Sequence, residues 1–252
     1  MGISLNRTHL IAFSFATAMI LAGGPFCCPA QAQNITSKLS TSAPLGDVDS
    51  GQYRAGDRLD FALVEEGSRY LLKFADQDEV FVLSADRGSA GGRLLKYDSG
   101  AIAVQVAGWG GLTLYPANAP NGLPVERVGE AVRPIYETIS FLQIQNDAET
   151  VGQALNVTIA VNWDLFAGDA VARTIGDQTL KNFERGAQQF IAQRGRAAFS
   201  QRVETIRLEP NMRPSLVLAG KTLMVGFNQS QGFAGRLSSR SVTQTLNGLL
   251  PK

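Results

Sequence analysis

The chain has 252 residues, with 23 basic and 22 acidic side chains, a single His and two Cys. So even a balance gives no global attraction to nucleic acid or to an anionic lipid surface. The length allows one domain of ordinary size or two small ones, each with its own core.

Residues 1–32 read as an export leader. Arg7 starts it, Leu10 to Leu21 is apolar, Gly23-Gly24-Pro25 breaks the run, and Ala30-Gln31-Ala32 offers the small residues a signal peptidase inspects. A membrane span needs about 17–25 apolar residues, so this run is too short. The expectation is cleavage before Gln33, a periplasmic or secreted product, and no stable membrane span afterwards. Cleavage would remove His9, Cys27 and Cys28, the only imidazole and thiols. Ser-His-Asp and Cys-His catalysis then lack their base or nucleophile, and zinc and copper lose their usual ligands. No metal and no cofactor is expected. Carboxylate, lysine or tyrosine chemistry survives.

Residues 33–56 are rich in Ser, Thr, Gly and Ala and predict a flexible lead-in. From residue 57 to 133 short apolar runs are separated by Gly-containing turns, the pattern of an antiparallel meander. Leu59, Phe61 and Leu63 alternate in a first strand. Arg69 to Phe74 and Val80 to Ser84 follow, then Leu94 to Tyr97, then Ile102, Val104 and Val106, and then Leu112 and Leu114. Asp76-Gln77-Asp78 is a polar turn, because a calcium loop would need oxygen at the fifth position and Gly at the sixth, where Val80 and Phe81 stand. The glycines around Trp109 predict a sheet corner with Trp109 plugged into the core. Pro116 to Pro134 predicts a long proline-rich surface loop.

Residues 134–252 change period. Phe141, Ile144, Ala148, Val151 and Leu155 predict a helix capped by Ser140, although a strand over 139–144 is a rival for its start. Val157 to Trp163 alternate as a strand. Asp169 caps a long helix whose inner stripe runs from Val171 through Ile175, Phe183, Ala187 and Phe190 and which ends near Gly195. A strand follows over 203–208. Ser215–Ala219 and Thr222–Phe227 make a hairpin about Gly220-Lys221. The tail is polar with scattered Leu, and its end is expected to fray. The fold class is therefore α+β: an N-terminal antiparallel β-meander followed by a helix-strand-helix-strand-hairpin half.

The segment FVLSADRGSAGGRLLKYDSG, with GWGGLTLY, Gly122-Leu123-Pro124 and Glu126-Arg127, resembles an exported bacterial family known only as a domain of unknown function. The resemblance covers residues 81–129 and extends to Val225-Gly226-Phe227. It implies export and an envelope location, and it implies no activity.

The residues thus favour a non-catalytic module that binds an envelope component or a small ligand, with Trp109, Tyr115 and Trp163 as candidate contacts. The alternative is a carboxylate hydrolase such as a glycosidase, drawing on Asp57, Asp60, Asp86, Asp98 and Asp164. A small outer-membrane barrel ranks third, because the long helix and the polar interruptions argue against eight alternating spans.

Overall fold

Eight strands run antiparallel to their chain neighbours: β1 (Gly51–Ala55), β2 (Leu59–Glu66), β3 (Arg69–Phe74), β4 (Val80–Arg87), β5 (Arg93–Lys96), β6 (Ile102–Val106), β7 (Leu112–Leu114) and β8 (Leu123–Gly129). The last pairs with the first, so the predicted meander is a closed barrel. The computed structural model describes residues 48–57 and 59–250. The leader and the lead-in up to residue 47 lie outside the described residues.

Two sequence expectations change at the closure. Gly51–Ala55, placed in the flexible lead-in, is β1, and Leu123–Gly129, placed in the proline-rich loop, is β8. Neither strand is rich in large apolar residues. Each forms because the other's backbone groups are there to pair with. Gly51 lies under the Arg127 side chain, and a Cβ there would stand 2.6 Å from Nε.

Side chains fill the barrel, as they do in small barrels. Tyr53, Phe61, Phe74, Phe81 and Tyr97 form a chain of rings with centroids 5.2–6.1 Å apart. Leu63, Leu72, Leu83, Leu95 and Val104 pack with them. A lipid-facing barrel is apolar outside and polar within. Here the interior is apolar, and the outer wall carries ion pairs such as Arg54–Asp60 and Lys96–Asp86. The outer face of β2–β4 carries an apolar patch at Val64, Leu71, Val80 and Val82, with Ala62 beside it. This explains the unbroken runs FALV, YLL and VFVL, whose strands are covered on both faces.

The rest of the chain supplies that cover. α1 (Phe141–Leu155) starts at Ser140, whose hydroxyl accepts from Gln143 N at 3.1 Å. β9 (Thr158–Val161) follows, then α2 (Trp163–Gly168), so Trp163 opens a helix rather than ending a strand. Asn162 accounts for this by accepting from Asp164 N. α3 (Ala170–Arg194) is capped by Asp169, as its sequence predicts, and ends at Gly195. Ala172, rather than the exposed Val171, begins its buried stripe. α4 (Arg196–Ser200), β10 (Thr205–Pro210), the hairpin β11 (Ser215–Ala219) with β12 (Thr222–Phe227), and α5 (Ser239–Leu249) complete the fold.

The second sheet has the order β11-β12-β10-β9, with β10 parallel to both of its neighbours. Its Ile206, Leu208, Leu223, Val225 and Phe227 enter one core with α1, α3 and α5. The polar tail forms a docked helix, buried through Ser241, Val242, Thr243 and Leu246, and residues 251–252, at the end expected to fray, lie outside the described residues. Gly186 of α3 allows the close approach, since a Cβ there would stand 2.6 Å from both Ser239 O and Val242 Cβ. From Val48 onward the described residues belong to one compact unit. The barrel and the α/β half keep separate cores, joined by Val64, Leu71 and Val80 against Phe233. Among the described residues no helix is long and apolar enough to cross a membrane.

Candidate functional site at the junction of barrel and helices

The segment between β12 and α5 crosses from one half to the other, and it carries polar groups into the seam. Arg236 is 7% exposed. Its guanidinium donates to Val80 O at 3.2 and 3.1 Å, to Phe233 O at 3.1 Å and to Gln178 Oε1 at 3.0 Å. It also lies 5.3 Å from the Phe233 ring centroid. Burial lowers its pKa from the ordinary arginine value, an effect opposed by Glu79. Arginine nevertheless keeps its proton, so the seam holds a fixed positive charge.

Two barrel carboxylates meet the start of α5. Glu79 accepts from Ser239 N at 2.8 Å and from Ser239 Oγ at 2.6 Å. Asp98 accepts from Ser238 N at 2.7 Å and from the Ser238 hydroxyl. Both satisfy donors at a helix N-terminus, where negative charge is favoured. Burial pushes the Glu79 carboxyl above its usual range, against the Ser239 bonds that pull it down.

Two cavities flank this seam. The larger, about 850 Å³, lies between the barrel, the 132–139 segment and α3, and its wall includes Glu79, Asp177, Lys181 and Arg185. Its charges largely answer one another. Lys181 Nζ is 2.9 Å from Asp147 Oδ2 and 2.8 Å from Asp177 Oδ2, and Arg133 pairs with Glu66. Asp177 Oδ1 is buried without a donor. A proton on Asp177 directed at Asp147 supplies one, so the two carboxyls behave as a coupled pair. Burial and then the Asp147 carboxyl push Asp177 up to about 6, against Lys181. Burial also acts to raise Asp147, but the bonds from Asp177, Lys181 and Gln143 hold it below its usual value.

The smaller cavity, about 570 Å³, is a groove over the outer face of β4. Val80, Val82, Pro214, Phe233 and Leu237 line it, and Arg69 and Arg213 stand at its edge. Both arginine side chains are exposed, and among the described residues neither has a hydrogen-bond or ion-pair partner. The one carboxylate in its wall, Asp98, is already bonded to Ser238. The groove is thus apolar along its floor and positive at its rim.

The residues singled out from sequence lie elsewhere. Trp109 sits at the β6–β7 turn and is 87% exposed, so it is not a core plug. The turn closes through Gly110 N to Ala107 O at 2.9 Å, and the indole is not needed inside a barrel already filled by rings. Tyr115 donates its hydroxyl to Gln105 Oε1 at 2.8 Å on the outer wall. Trp163 packs edge-on to Phe141 at 6.0 Å, beside a third depression. The fold does not gather these three at either seam cavity. Among the candidate carboxylates, Asp60 and Asp86 are in ion pairs, Asp98 caps the seam, and Asp164 lies in the first turn of α2. Sequence reading passed over Arg69, Arg213 and Arg236. Arg69 stands more than a hundred residues before Arg213 and Arg236, so no local signal joins it to them.

The profile of a family described as Domain of unknown function (DUF4908) matches residues 34–246. The chain belongs to this family. The match takes in the whole barrel, both seam cavities and α5 as far as Leu246, so the junction lies within the family's unit. No curated protein and no solved structure matches the chain.

Proposed function

We propose that this family member is an exported, non-catalytic binding protein, periplasmic or secreted, whose ligand seat is the junction groove. The pattern of residues 1–32 supports export. The observation that carries the binding reading is the pair of unpartnered cations, Arg69 and Arg213, over an apolar floor. Concave apolar surface with a few convergent polar groups at a junction between structural units is where small ligands bind.

The carboxylate-hydrolase alternative has less support. Of its sequence candidates, Asp60 and Asp86 are held in ion pairs and Asp98 in a cap, and the two carboxyls that do meet, Asp147 and Asp177, are in hydrogen-bond contact. Glycoside hydrolysis needs roughly 5–9 Å between its carboxyls. Trp109, open to solvent, is the aromatic candidate best placed to touch a partner outside the groove.

A thermal-shift panel of glycans, peptides and lipids tests this on wild type and on Val82→Glu, which puts a charged side chain into the groove from the outer wall of β4. A saturable shift without turnover, lost in the variant, is the expected result. Cleaved substrate, or shifts indifferent to Val82 across the whole panel, would overturn the reading. Mass spectrometry of the native product is expected to show Gln33 at the amino terminus, and an intact leader would end the export proposal.

A further inference from the structure

We infer that the groove takes a single-chain acyl carboxylate, with the carboxylate between Arg69 and Arg213 and the chain along Val82, Pro214, Phe233 and Leu237. This rests on the proposal that the groove is the ligand seat.

Three features choose the class. The first is charge. The wall holds Arg69, Arg213 and Arg236 against the one carboxylate of Asp98. Asp98 is occupied by Ser238 N and Oγ, and Arg236 by Val80 O, Phe233 O and Gln178. The two free guanidiniums are therefore the groups left to meet a ligand, and they meet an anion. A planar guanidinium fork matches a carboxylate through two parallel N–H donors.

The second feature is the floor. Val80, Val82, Phe233 and Leu237 offer no hydrogen-bonding side chain to a sugar or a peptide amide, which would lose its water without replacement. The uncharged polar side chains in the wall, Ser84, Gln231 and Ser238, are too few to serve a polymer of such units. An unbranched methylene chain needs none. Each CH₂ it buries contributes roughly 0.8 kcal/mol.

The third feature is size. At the ~30 Å³ that a water-sized group occupies in a liquid, a volume of about 570 Å³ holds roughly twenty such groups. That suits one long acyl chain with its head, and it is too small for a two-chain lipid buried whole. The groove also sits where the ligand would touch both halves. Val80 and Val82 belong to the barrel, while Phe233 and Leu237 belong to the segment that leads into α5. A bound chain would hold the seam closed, and the protein should be more stable with it than without.

The test is titration calorimetry of the mature protein with hexadecanoate, hexadecanol and hexadecyl phosphate below their aggregation limits. The arms use wild type, Arg69→Gln with Arg213→Gln, and Val82→Glu. The expected result is one saturable site for hexadecanoate. It should weaken about a hundredfold in the double arginine variant and be lost in Val82→Glu, while hexadecanol binds at least tenfold more weakly and ignores the arginine changes. Hexadecanol binding as tightly as the acid would overturn the carboxylate assignment and leave the groove as the seat. The same split follows if hexadecyl phosphate binds more tightly than hexadecanoate, with the head group reassigned to phosphate. If a glycan or peptide gives a shift that Val82→Glu abolishes while hexadecanoate gives none, the acyl inference falls and the seat stands. If nothing tested depends on Val82, both fall. Circular dichroism and urea unfolding of each variant show whether a lost signal is lost fold.

Discussion

Glu79 of the barrel takes both the backbone N–H and the hydroxyl of Ser239, 160 residues away, at the first turn of α5. One carboxylate thereby ties the start of the last helix to the β3–β4 connection of the barrel. Asp98 likewise ties the neighbouring Ser238 to the barrel.

Glu79→Ala is expected to loosen this joint. Each buried donor left without an acceptor costs about 1–3 kcal/mol, and Ser239 would present two. Glu79→Gln keeps one acceptor oxygen and should cost less. Urea unfolding reads the stability, and amide exchange reads where it is lost. Protection should fall first in α5. An unchanged α5 in Glu79→Ala would mean that the helix is held by its apolar face alone.

Asp177 gives stability a pH dependence of unusual sign. Its folded value is near 6, above the ordinary 3.8, so the fold prefers the protonated form. Its contribution is fully present below the ordinary value and fades as pH rises through 6. Two units correspond to at most about 3 kcal/mol, and Asp147, held low, works in the opposite sense as pH falls. Asp177→Asn is neutral at every pH and can still accept from Lys181. Relative to wild type it should be near parity at pH 4 and more stable at pH 7.5. Parallel stability curves for the two proteins would contradict the shared-proton pair.

Gly186→Ala sets propensity against packing. Alanine in a helix interior is favoured over glycine by about 1 kcal/mol, yet the new Cβ would stand 2.6 Å from Ser239 O. Displacing a packed helix costs roughly 1–3 kcal/mol, so the variant should be destabilised on balance. A higher urea midpoint than wild type would show that α5 can shift without loss.

Trp109→Ala should leave stability within about 0.5 kcal/mol of wild type, the range for exposed positions without buried partners. The change removes the solvent-exposed indole and leaves Trp163, so emission should move to shorter wavelength. A large loss of stability would mean that the side chain is buried against something in solution.

How much of this was legible in the residues depends on where the stabilising partner lies. The β11–β12 hairpin about Gly220-Lys221, the Ser140 cap of α1 and the Asp169 cap of α3 are set by neighbours within a few positions, and the sequence by itself determined them. It also determined the alternation of Leu59, Phe61 and Leu63 that turns one face of β2 into the barrel. The closure between β1 and β8, the docking of α5 and the groove were decided only by tertiary structure. Tyr53 pairs across the closure with Arg127, and β8 exposes most of its side chains, so nothing local marks either segment as a strand. α5 buries serines and threonines whose partners, Glu79, Asp98 and Gly186, lie on other elements. Arg69 and Arg213 become neighbours of one groove only because the α/β half folds over β4. Local pattern reports which face a segment will bury. It cannot report which distant face will cover it, because that choice is made by surfaces that exist only after the chain has folded.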